Sequence, residues 1–242
     1  MSKAERFLGR SGKRMRIKVS ASVLCADLSD LASEVNELEE AGVDMLHFDV
    51  MDGHFVPNLG LGPVIVEHLR KLTSLPFEAH LMIEDPARYA ERFVEAGSQI
   101  VAAHVEAVPD FRRLAEQIRE LGASPAIALN PDTPVERIEP FLDEVSQVLV
   151  MTVQPGFPGQ PLVKHTITKI RKVGDALLQR NLQLDIATDG NVSFENAPVM
   201  VSAGADVLVC GTSSLFSRKV SFSEGVRLLR EGVSGVPEAP SS

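Results

Sequence analysis

The chain has 242 residues, a length that suits one or two domains, or a single α/β barrel. A formal net charge of -9, a single Tyr and no Trp argue against a general nucleic-acid binder, which is basic and offers aromatic stacking surfaces. No apolar run reaches the roughly 18 residues of a membrane span, so a soluble, cytoplasmic protein without a membrane partner is expected.

Residues 1–16, MSKAERFLGRSGKRMR, are basic and lack the apolar stretch of a secretory signal, and a flexible tail is expected there. The first apolar run follows, IKVSASVL, rich in β-branched residues and short enough for a strand. LASEVNELEEAG then places Leu31, Val35 and Leu38 at helical spacing, with acidic residues on the other face. The strand-like runs MLHFDVM, FEAHLM and IVAAHV come next. FRRLAEQIRELG repeats the helical pattern with Phe111, Leu114, Ile118 and Leu121. PAIALN, QVLVMTV, LDIAT and DVLVCG complete a set of eight strands. Gly42, Gly97, Gly122 and Gly204 follow amphipathic segments, where a helix ends best on a left-handed residue. EAGVDMLHF, EAGSQIVAAH and SAGADVLVCG echo one another as helix end, turn and strand. The last stretch, 232–242, reads as a second flexible tail. Nothing between the tails divides the chain, so 17–231 is expected to form one domain. Cys25 and Cys210 stand far apart and outside any CxxC, which suits reduced thiols.

Strands alternating with helices predict parallel βαβ units. An open doubly wound sheet is one solution, but no GxGxxG opens the first helix. The preferred reading is α/β, a single (β/α)8 TIM barrel, with its active site where the strands end. On a strand, side chains two apart share a face. His47 and Asp49 therefore point together, and burying that pair under the helices would be costly. At the mouth of the lumen they meet water, substrate or metal. FEAHLM adds His80, and LDIATDG adds Asp189 at the break of the seventh strand. Taken singly, a His at a strand end is an ordinary hydrogen-bonding residue and Asp-Gly is a turn. Taken together, two His and two Asp at one end of a barrel suit a divalent transition metal. His104 also ends a strand and is a candidate for support behind these four. His68 and His165 fall in helical segments facing solvent, and His54 falls in a loop.

A second constellation is rich in glycine. MTVQPGFPGQP carries Gly156 and Gly159 after the sixth strand, DGN follows the seventh and CGTSS the eighth. Each alone is a tight turn. Together they match the loops that hold phosphate in such barrels through backbone N–H groups.

SASVLCADL, HFDVMDGHFVPN, HLMIEDPARY, IALNPDTP, VLVMTVQPGFPGQ, TDGN and ADVLVCGTSSLF resemble the ribulose-phosphate 3-epimerases, over about Val19 to Phe216. The resemblance implies a barrel isomerase that inverts C3 of a phosphorylated ketose, interconverting D-ribulose 5-phosphate and D-xylulose 5-phosphate. It places one divalent ion (zinc, iron(II), manganese or cobalt) on His47, Asp49, His80 and Asp189. It makes Asp49 and Asp189 the acid and base, and puts Ser22 and His80 against substrate. Phosphate contacts fall on Gly156, Phe157, Gly159, Gly190, Gly211 and Thr212, and Met51, Met82 and Met151 line the reacting carbons. A homo-oligomer is also implied.

The residue types suit the reaction. Two carboxylates can remove a proton from one face of C3 and return one to the other. A metal stabilises the enediolate between the two steps. The methionines pack without competing for the proton, although ordinary barrel core would use them equally well. The family usually has GFGG and DGG where this chain has Pro158 and Asn191. Proline removes one N–H from the phosphate loop, while Asn tolerates the left-handed turn. Three alternatives remain open at this stage. One is an allulose-6-phosphate 3-epimerase, whose pattern also includes GTSSLF and a non-glycine after DG. Another is a different phosphate-binding barrel enzyme, although the Lys such enzymes often carry at a strand end is missing. The third is a catalytically silent binding protein.

Overall fold

The computed structural model describes residues 17–234. Eight parallel strands follow one another around a closed barrel in chain order. They are β1 (Lys18–Ser22), β2 (Met45–Met51), β3 (Phe77–Met82), β4 (Ile100–His104), β5 (Ser124–Leu129), β6 (Gln147–Met151), β7 (Asp185–Asp189) and β8 (Val207–Cys210). Closure comes from β1, which pairs with β2 on one side and with β8 on the other. The helices are α1 (Leu31–Glu40), α2 (Pro63–Arg70), α3 (Pro86–Glu95), α4 (Phe111–Glu120), α5 (Thr166–Gln179), α6 (Ala197–Ser202) and α7 (Phe222–Ser234). No described helix is long and apolar enough to cross a membrane.

One expected helix is replaced. Between β5 and β6 the chain makes two short 3-10 segments, Val135–Arg137 and Glu139–Glu144. Pro134 precedes the first segment and Pro140 lies inside the second, and each lacks the N–H that a continuous α-helix needs. The tail expected at 1–16 lies outside the described residues, as do 235–242, while 232–234 belong to α7.

Helix boundaries follow local chemistry. The Asp85 and Asp110 side chains accept from the backbone N–H groups of Arg88 and Arg113, capping α3 and α4. Pro86 takes the first turn of α3, where a missing N–H costs nothing. On α4 the buried residues are Phe111, Leu114, Ala115 and Ile118, one stripe turned toward the sheet. Gly42, Gly97 and Gly204, in the three echoed turns, all take positive φ.

Strand alternation divides the core in two. Leu46, Phe48 and Val50 of β2 join the large apolar layer between sheet and helices. Met45 of the same strand joins a lumen cluster with Ala102, Ala126, Ala128, Leu149, Ala187, Val207 and Val209. Alanines make up half of that cluster. The lumen gains its bulk instead from buried polar side chains, among them His47, Glu78, His80, His104 and Gln147.

Candidate active site

Register brings the polar residues together. Pairing of β2 with β3 sets His47 beside Glu78, Asp49 beside His80 and Met51 beside Met82. Asp189, the last residue of β7, reaches the same place from the other side of β1 and β8. Thr152 helps to fix it, since its N–H donates to the Asp189 carbonyl at 2.7 Å.

The result is a tight cluster. His47 Nε2 lies 3.3 Å from His80 Nδ1, 3.5 Å from Asp49 Oδ1 and 3.8 Å from Asp189 Oδ2. His80 Nδ1 lies 3.6 Å from Asp189 Oδ2 and 3.9 Å from Asp49 Oδ1. One donor atom from each of the four residues falls within 4.8 Å of all the others. A four-coordinate ion with bonds of about 2.0–2.2 Å separates its ligand atoms by about 3.3–3.6 Å. The observed spacings are those of such a shell, slightly expanded.

The electrostatics agree with that fit. Burial opposes charge on His47, yet Asp49 and Glu78 outweigh it and raise its pKa well above the ordinary imidazole value. Burial likewise opposes charge on Asp49, but His47 and His80 pull its carboxyl far down. His80 is lowered to about 4, chiefly by burial. Asp189 is pushed up to about 7 by burial and by the Asp49 charge. Three carboxyl groups and two imidazoles thus share one largely buried space. A divalent cation is the natural balance for that surplus of acidic groups.

Support for the cluster includes residues that sequence reasoning passed over. Glu78 is fully buried and lies 2.8 Å from His47 Nδ1. Gln147, from β6, donates its amide to the other Glu78 oxygen. A carboxylate behind a ligating imidazole fixes ring and tautomer. The signal was present in FEAHLM, where Glu78 stands two residues before His80 on an otherwise apolar strand. Ser22 Oγ donates to Asp49 Oδ2 at 2.6 Å. His104 is buried behind His80, with 2.9 Å between the two Nε2 atoms. His54, His68 and His165 are exposed, as expected.

A cavity opens over the cluster, and the remaining sequence candidates meet there. Asp49, Asp189, Ser22, Met51, Met82 and Met151 line its floor and wall. Gly156, Phe157, Pro158, Gly159, Gly190, Asn191, Gly211 and Thr212 also line it. His47 and His80 are fully buried and are not among the residues lining it, so His80, expected against substrate, meets the cavity only through the cluster. Gly190 has φ +115, and a Cβ there would lie 2.8 Å from the Val153 nitrogen. Asn191 adopts φ 47, so the turn survives without a second glycine. Its amide also donates to the Gln160 carbonyl at 2.6 Å, tying the β7 loop to the β6 loop. Asn58, after β2, donates to the Gly156 carbonyl at 2.7 Å and ties in a third loop. Cys25 lines the cavity and Cys210 is buried, both as free thiols.

A closed barrel with two imidazoles and two carboxylates gathered at its strand ends defines a (β/α)8 enzyme with a site able to hold a metal ion. The pattern of the ribulose-phosphate 3 epimerase family matches residues 18–216. The chain belongs to that family. It is 43% identical over 213 residues to the ribulose-phosphate 3-epimerase of Bacillus subtilis, covering 86% of this chain and 97% of that one. The enzyme of the same name from Methanocaldococcus jannaschii is 44% identical over 215 residues, covering 89% and 90%. These relatives are carbohydrate-phosphate epimerases, a class of isomerase. Among solved structures, KGPDC from Streptococcus mutans superposes with a TM-score of 0.69 at 13% identity, covering 92% of this chain and 99% of that one. At that identity the likeness is one of fold.

Proposed function

We propose that the protein interconverts D-ribulose 5-phosphate and D-xylulose 5-phosphate, with Asp49 and Asp189 as the two proton-transfer groups. The observation that carries this reading is that both carboxyl groups, from strands on different sides of the barrel mouth, line one cavity with the glycine-bearing loops. One carboxylate takes the proton from C3, and the other, protonated, delivers one to the opposite face of the enediolate. Ser22 holds Asp49 through its Oδ2, which leaves Oδ1 toward the cluster. Met51, Met82 and Met151 pack around the reacting carbons and keep water from the intermediate.

His47, His80, Asp49 and Asp189 would hold the ion, and their nitrogen and oxygen donors suit zinc, iron(II), manganese or cobalt. When bound, the ion supplies Lewis-acid stabilisation of negative charge developing on the substrate oxygens. The loops after β6, β7 and β8 take the phosphate through backbone N–H groups, with Pro158 contributing none. That grip is remote from C3 and fixes the sugar between the two carboxyl groups.

The relatives' names favour a five-carbon ketose over allulose 6-phosphate. The test is to compare kcat/KM for the two sugars on one sample of known metal content. Ribulose 5-phosphate is expected to be the better substrate, and a preference for allulose 6-phosphate overturns that assignment.

A further inference from the structure

Behind the cluster a chain of polar groups runs outward from His80. His80 Nε2 lies 2.9 Å from His104 Nε2, and His104 Nδ1 lies 3.2 Å from Glu106 Oε2. Both imidazoles are fully buried, and their rings lie end to end, with centroids 5.0 Å apart and planes inclined by 21°. Phe55 packs against His104, at 4.8 Å between centroids. The other Glu106 oxygen accepts from the Asn130 N–H at 2.8 Å and from the Thr133 hydroxyl. Lys169 anchors the segment that supplies those donors, giving its ammonium hydrogens to the carbonyls of Asn130, Pro131 and Thr133.

Hydrogen-bond polarity gives this chain one direction. A contact between two ring nitrogens needs one donor and one acceptor. Glu106 sits as an acceptor at both oxygens, one facing the Asn130 N–H and the Thr133 hydroxyl and the other facing His104 Nδ1. An ionised carboxylate only accepts, so His104 donates from Nδ1. In the neutral ring Nε2 is then the acceptor, and His80 must donate from its own Nε2. The lone pair of His80 is left on Nδ1, the atom that faces His47, Asp49 and Asp189.

We propose that His104 and Glu106 are positioning residues, which hold the His80 ring with a bare Nδ1 aimed into the cluster. The inference rests on the reading of His80 as a metal ligand. It gives His80 the kind of support that Glu78 and Gln147 give His47, built from a different strand and loop. A ligating imidazole donates its other N–H to a fixed acceptor, and loss of that acceptor costs roughly 10–100-fold in metal affinity.

The test uses the full chain, stripped of metal and titrated with Co2+ against a chromophoric chelator, so that no substrate is involved. His104→Phe keeps a ring and removes the acceptor. It is expected to bind Co2+ roughly 10–100-fold more weakly, with altered d–d absorption bands. His104→Gln, whose amide oxygen can accept, is expected to recover part of the affinity. Wild-type affinity and an unchanged spectrum in His104→Phe overturn the proposal. Should that variant fail to fold by circular dichroism, Glu106→Gln decides: weakened Co2+ binding supports the proposal and wild-type binding overturns it. His80→Ala separates the two levels, since undiminished Co2+ affinity there overturns the metal site itself.

Discussion

Gly190→Ala tests how the glycine-bearing loops over the cavity are fitted to the barrel, with Gly159→Ala as its partner. Both glycines have positive φ, +115 at Gly190 and +78 at Gly159. A left-handed conformation costs an L-residue about 1–2 kcal/mol, so Gly159→Ala loses about that much. Nothing lies within 4 Å of the added methyl at 159. At 190 the methyl meets the Val153 nitrogen at 2.8 Å and the Val153 side chain at 2.5 Å. A side chain can turn aside, but a strand-end backbone cannot, and overpacking of this kind adds about 1–3 kcal/mol. Central values are then about 3.5 kcal/mol for Gly190→Ala and about 1.5 kcal/mol for Gly159→Ala. For a domain of this size each kcal/mol moves Tm by about 2–4 °C, so the expected losses are about 10 °C and about 4–5 °C. The assay is thermal unfolding by circular dichroism, with kcat and KM on the folded proteins. Gly190 adjoins Asp189, so its variant is expected to lose kcat, while Gly159→Ala raises KM. If the two variants melt together and share one kinetic defect, the steric argument at Gly190 is wrong.

Asp49→Asn and Asp189→Asn are each expected to remove most turnover, because in the proposed mechanism each takes away a proton-transfer group and a metal ligand. A variant with near-normal kcat and full metal content removes that residue from the mechanism. In D2O, product at low conversion is expected to carry deuterium at C3 while recovered substrate stays mostly protiated, since the proposed mechanism has two different carboxyl groups take and return the proton. NMR of both sugars reads this out, and substantial protium retained in the product points to a single base.

Where one pattern decided structure, it could be read from the sequence. MLHFDVM and FEAHLM coincide with β2 and β3, because short apolar runs bounded by loops leave little choice. His47, Asp49, His80 and Asp189 were visible as polar residues intruding on strand ends, and one cluster unites them. Glu78, Gln147 and Glu106 were not singled out. Their roles depend on register between strands and on loop packing, which a single run of residues does not encode. His104 was half legible, as a strand-end histidine whose partners were unknown. The missing helix between β5 and β6 had its cause in plain view at Pro134 and Pro140, but the eightfold pattern outweighed them. Asn191 was read for its backbone alone, and its bond to Gln160 needed the second loop in place.

Pairing of β1 with β8 joins the two ends of the domain. Such a contact is among the most non-local a chain can make, and its closure entropy must be met before it returns any stabilisation. During synthesis His47, Asp49 and His80 emerge early, while Asp189 and the final strand arrive near the end. Closure holds Asp189, on β7, beside the donors of β2 and β3. Completion of the fold and competence of the site are therefore the same step, and a chain halted short of β8 carries neither.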